Sequence, residues 1–267
     1  MTALRVELRK TLTTRLWWIL LLSLAAYMAF LAGILAVAFT VEDPSGGQAG
    51  GGFGLDPSAI ATSIYTLPAS TGYVFPLVVG ALAVTAEFRY RTISATFLAE
   101  PRRGVVLGAK LAASLLVGLL HGLVATAAAV GIGASVLAAT GEPARLGESA
   151  IQRSILLTVL TMAIWAVVGV GFGALLTNQV ASIIVALGFT QFVEPILRFV
   201  LLTNEATAGI SRFLPGAAGE ALAGGGLFGG VAESDPLAPW QGGLVLLAYA
   251  AVLATVGWTT SLRKDIT

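Results

Sequence analysis

Residues Glu87–Lys110, EFRYRTISATFLAEPRRGVVLGAK, decide how this chain reads. They hold five of its fifteen Lys and Arg residues, and long uncharged apolar runs flank them on both sides. Phe88, Tyr90, Ile93, Phe97 and Leu98 alternate with charge in a roughly helical pattern. Pro101 ends that pattern, and Arg102-Arg103 precede the next apolar run. A short amphipathic helix held between two membrane spans suits docking into a groove on a soluble partner.

The composition demands a membrane around this stretch. Of 267 residues, 57% are hydrophobic and 11% charged, more apolar surface than a soluble core of this size can hide. A net charge of +1 gives no reason to expect a nucleic-acid partner. With no cysteine, disulfides, thiol nucleophiles and Cys-ligated metals are excluded, and a single histidine excludes a multi-His metal site. The expected fold is an all-α integral membrane protein with six transmembrane helices, and no catalytic or metal-binding residue is expected.

The spans are expected at about 16–39, 66–86, 111–139, 154–177, 180–202 and 241–262. The first, at 24 residues, would be about 36 Å long as a helix, enough for a bilayer core of roughly 30 Å and too long for a signal peptide. Before it, residues 2–15 place Leu4, Leu8 and Leu12 one turn apart, with Arg5, Arg9 and Lys10 on other faces. That pattern suits an interfacial helix against anionic lipid or a simple basic flank. The loop carrying Glu42, Asp43 and Asp56 is Gly-rich and flexible in composition. Pro68, Gly72 and Pro76 predict a bend in span 2, as a hinge or a fixed kink. Only Asn178 and Gln179 separate spans 4 and 5, so those two are expected to be direct neighbours. Gly104–Gly108 and Gly118–Gly122 give the small-residue spacing of close helix pairs. The outer segment 203–240 mixes acidic and apolar residues, as short helices dipping into the outer leaflet would.

Three ionisable residues lie inside spans and are candidates for a path or gate. His121 sits near the bilayer midplane, where a neutral imidazole bonded to a neighbouring helix is the simpler alternative. Glu194 and Arg198 stand at i and i+4 in span 5, the favourable order for an intrahelical ion pair. Six spans put both termini and 87–110 on one side, which then holds eleven of the fifteen basic residues. The positive-inside rule makes that side cytoplasmic.

At these residues the chain resembles the membrane permease subunits of the ABC-2 class of ABC transporters. The matching residues are Glu87 at the end of span 2, Arg89-Tyr90-Arg91-Thr92, Thr96 with Leu98, Pro101-Arg102, and Lys110 entering span 3. Ile93-Ser94 depart from the pattern, which has a Gly there. The resemblance implies an exporter half in the plasma membrane that forms the translocation path. Such a chain pairs with a second permease subunit, identical or related, and docks an ABC ATPase subunit through 87–110, with Phe88 and Arg103 in the same surface. No GxxxxGK[ST] loop is present, so ATP and Mg belong on the partner and this chain carries no cofactor of its own. A secondary transporter or a membrane scaffold is the alternative. The former would need more intramembrane carboxylates than Glu194.

Overall fold

Six predominantly apolar runs long enough to cross a bilayer become six helices, and the chain is a polytopic α-helical membrane protein. The computed structural model describes residues 2–40, 56–226 and 236–262. Glu42, Asp43, Glu233, Asp235, Arg263 and Lys264 lie outside the described residues, among which there is no strand. Helix α1 is Thr2–Leu12 and α2, the first span, is Leu16–Thr40. The second span α3 runs Pro57–Arg89, followed by the short helix α4, Ile93–Ala99. Then come α5 (Arg103–Ala139), α6 (Ser149–Leu175) and α7 (Gln179–Leu202), spans three to five. Two short helices, α8 (Glu205–Ser211) and α9 (Pro215–Ala223), lead to the sixth span, α10, Pro239–Ser261.

Two spans, α3 and α5, start two turns or more before the point at which hydropathy alone places them. Helix α3 has 33 residues because Pro57 fits its first turn and the Asp56 carboxylate accepts from the Ser58 amide, capping the end. Its PSAIATSIY start reads as polar, yet Ile64 and Tyr65 are fully buried. Pro68 cannot continue the regular ladder, and the chain takes a wider π turn over Pro68–Gly72 before the helix resumes. That bend is packed against α6 and α9. Helix α5 begins at Arg103 rather than Leu111, so Lys110 lies about two turns inside it.

Helix α6 is the centre of the bundle, packed by α3, α5 and α10. Its apolar stretch is 61% buried, against 22% for α2 and α7, which makes those two peripheral. Small residues permit the crossings. A Cβ on Gly80 would land on the Ala166 carbonyl oxygen, and one on Gly169 on that of Leu77. Without hydrophobic discrimination inside lipid, close packing of this kind is what joins spans. Gly118 and Gly122 meet α6 as their spacing suggests: a Cβ on Gly118 would stand 2.9 Å from Ala163 Cα, and one on Gly122 2.8 Å from the Val159 oxygen. Gly108 instead faces open space, where an added Cβ would meet nothing within 4 Å.

The turn after α6 is as tight as expected, capped by Asn178, whose side chain accepts from the Ala181 amide at 3.1 Å. Beyond the turn α7 leans mainly on α3. Tyr73 explains the preference: its hydroxyl donates to the Thr190 carbonyl at 3.3 Å and accepts from Gln191 Nε2 at 3.0 Å. A second π turn, Phe189–Val193, interrupts α7 just before Pro195.

Candidate functional site

Glu87 stands in the last turn of α3, where the helix dipole disfavours a carboxylate unless cations answer it. Two do. Lys110 Nζ donates to Glu87 Oε1 at 2.7 Å, to Glu7 Oε2 at 2.8 Å and to the Ala83 carbonyl at 2.9 Å. Lys10 Nζ donates to Glu87 Oε1 at 2.7 Å, to Glu7 Oε1 at 2.6 Å and to Thr96 Oγ1 at 3.1 Å. Two carboxylates and two ammoniums thus alternate, and Glu7, Glu87 and Lys110 are each at most 6% exposed. Burial works against charge on Lys10, but Glu7 and Glu87 outweigh it and hold that pKa above its ordinary value. The cluster ties four elements together: α1, α3, α4 and α5.

Just beyond Glu87 the chain reverses. The Thr92 amide donates to the Glu87 carbonyl at 2.9 Å and the Arg91 amide to that of Phe88 at 3.2 Å, the paired bonds of a Schellman cap. The cap puts Arg91 at φ 57°, a left-handed conformation usually given to glycine. A side chain there costs about 1 kcal/mol or somewhat more. Helix α4 then buries Ile93 and presents its other face outward, with Leu98 84% exposed, and Tyr90 at the end of α3 is 70% exposed. Arg89, Arg91, Thr92, Pro101 and Arg102 are exposed around them. The Arg103 guanidinium lies 5.1 Å from the Phe97 ring centre, and Arg102 pairs with Glu100 at 2.9 Å. Beside this surface lies an open groove of about 450 Å³, lined by Phe88, Arg89 and residues Thr177, Asn178, Gln179 and Val180. Arg89 Nη1 spans it to Gln179 Oε1 at 3.3 Å.

The three intramembrane candidates lie elsewhere and apart. His121 Nδ1 donates to the Val117 carbonyl at 2.9 Å, back onto its own helix rather than to a neighbour. At the opposite end of the bundle, Glu194 accepts from the amide of Gly216 at the start of α9, a cap for that helix. Arg198 reaches past Glu194 and donates from Nη1 to Glu220 Oε2 at 2.8 Å. The i, i+4 spacing therefore serves to grip a second element. Helix α7 holds α9 at two points, and α9 itself packs against α6 and α10. Glu220→Gln keeps the shape but removes the charge, so α9 should loosen by about 2 kcal/mol. Hydrogen exchange of residues 215–223 would register it, and unchanged protection there would count against the grip.

Sequence patterning misses Glu7, Glu220, Tyr73 and Trp165, the last two stacked 4.2 Å apart beneath α9. Only Glu7 leaves a local signal, its i, i+3 spacing to Lys10. The chain matches no protein-family model and no curated protein.

Proposed function

We propose that this chain is the permease subunit of an ATP-driven exporter of the ABC-2 type, with residues 87–103 forming the contact to a separate ATPase. One observation carries the reading. The exposed Tyr90, at the turn that ends α3, and Leu98 on α4 are ringed by arginines, and that turn is fixed by the Glu7–Lys10–Glu87–Lys110 cluster. An exposed Leu and Tyr on a basic surface favour a protein partner, and a rigid root favours transmission of force into α3 and α5. The side carrying this surface is then the cytoplasmic one, by the distribution of basic residues. In this reading α3 and α5 move as the ATPase closes, and the cargo passes along spans of this chain and of a second permease subunit.

Arg91 gives a test that separates contact from scaffold. Arg91→Gly relieves the left-handed backbone, so the thermal stability of the detergent-solubilised chain should hold or rise. If Arg91 touches the ATPase, the same variant should lower chain-stimulated ATP hydrolysis about tenfold, as loss of an interface arginine does. The wild-type chain should co-purify with a P-loop ATPase encoded in the neighbouring reading frame. Full stimulation by Arg91→Gly would remove Arg91 from the interface, and proton- or sodium-driven uptake without an ATPase would replace the exporter reading altogether.

A further inference from the structure

Helix α1 has two unlike faces. Glu7 and Lys10 lie on one, sunk in the ion cluster with Glu87, Thr96 and Lys110. Arg5 and Arg9 lie one turn apart on the other, both exposed, with Val6 51% and Leu12 46% exposed beside them. Glu7 is the one acidic residue of α1 and it is buried, so the exposed face carries positive charge alone. Three residues separate Leu12 from the start of α2, and the Trp17 indole donates to the Leu12 carbonyl at 2.9 Å, fixing the corner. Arg15 and Trp18 are exposed at that corner. Because α2 must enter the hydrocarbon at Leu16, this face can stand no further than the headgroup layer, where arginine and tryptophan are both favoured.

We propose that α1 is a sensor of anionic phospholipid. Arg5, Arg9 and Arg15 engage lipid phosphates, and Lys10 on the opposite face passes that hold to Glu87 and Thr96, steadying α4. Charge complementarity selects the occupant, since zwitterionic headgroups give the arginines no net attraction. The exposed Val6 and Leu12 fit the acyl boundary that a soluble phosphate lacks. The direct link to α4 is short: the Lys10 side chain bonds Thr96, whereas Glu7 reaches Glu87 only by way of Lys110 or of Lys10 itself. The proposal does not depend on the ATP-driven reading, and its test uses no ATPase.

The full chain is reconstituted in nanodiscs of phosphatidylcholine alone, or with about a third phosphatidylglycerol, a working composition at which anionic surface charge attracts basic segments. Hydrogen exchange is followed in residues 2–12 and 93–99. Anionic lipid should slow exchange in both segments on the order of tenfold at low salt, and much of that gain should vanish at 0.5 M salt. The triple variant Arg5→Gln, Arg9→Gln, Arg15→Gln changes only exposed side chains and should lose the lipid response in both segments. Lys10→Met should keep the response in 2–12 and lose it in 93–99. Equal exchange in the two lipid mixtures, or a full response in the triple variant, overturns the sensor. A lipid response of 93–99 that survives Lys10→Met overturns the link.

Discussion

Gly169→Ala should prevent the bundle from closing properly, although it adds a single methyl group. The new Cβ would land on the Leu77 carbonyl oxygen, and a backbone atom on a packed helix cannot rotate away as a side-chain tip can. Helices α3 and α6 would have to separate, giving up their closest crossing. Overpacking of a well-filled core costs about 1–3 kcal/mol, and the upper end or more is expected where backbone opposes it. In lipid this loss is not cushioned by a hydrophobic force between spans, because lipid tails accept apolar faces equally well. Thermal denaturation in detergent, read by loss of the monodisperse size-exclusion peak, should show a clear drop in midpoint. Gly108→Ala supplies the control, since nothing lies within 4 Å of that added carbon. If both variants melt together, close approach at Gly169 is not what holds α3 to α6.

Lys110→Met should be the most damaging charge removal in the chain. It strips Glu7 and Glu87 of a shared partner that is 3% exposed, and leaves two buried carboxylates with Lys10 alone between them. Removing one member of a buried ion cluster costs about 3–5 kcal/mol, chiefly from the uncompensated charge that remains. Adding Glu87→Gln to Lys110→Met removes one of those charges and should restore part of the loss, a coupling that a double-mutant cycle measures. Arg102→Ala, which breaks the outer pair with Glu100, should cost almost nothing, because the Arg102 side chain is 77% exposed. Strict additivity of the Glu87 and Lys110 variants would contradict the cluster as described.

The two variants probe different layers of the same design. Gly169 sets the crossing of α3 on α6, and α3 carries Glu87 at its end. Lys110 then fixes that end against α5 and α1. A motion imposed on α4 at one end of the bundle would reach α3 and α5 first, because these are the helices to which its root is fastened. At the other end α7 holds α9 through Glu194 and Arg198, so displacement of the weakly packed α7 would also shift α9.

Sequence alone determined the parts of this protein that depend on local chemistry. Each strongly apolar run is long enough to cross a bilayer, so the number of spans follows from length and hydropathy. Pro101 ends the short helix after Glu87, and Asn178 caps the tight turn between spans 4 and 5. Charge density alone picked out 87–110 as the distinctive stretch. Tertiary structure decided everything that depends on which faces meet. The spans are apolar on most of their faces, and lipid is as apolar as a helix face, so hydropathy cannot mark α6 as central or α2 and α7 as peripheral. The first turns of α3 were hidden because a Ser- and Thr-containing start reads as loop until the Asp56 cap and the packing of Tyr65 are in place. Arg198 could be paired only with Glu194 by spacing, whereas folding brings Glu220 from 22 residues away to its guanidinium. Glu87 was visible from the start as a charge at the end of a span. That it is neutralised by Lys10 and Lys110, and shares them with Glu7, required three helices to converge on one buried point.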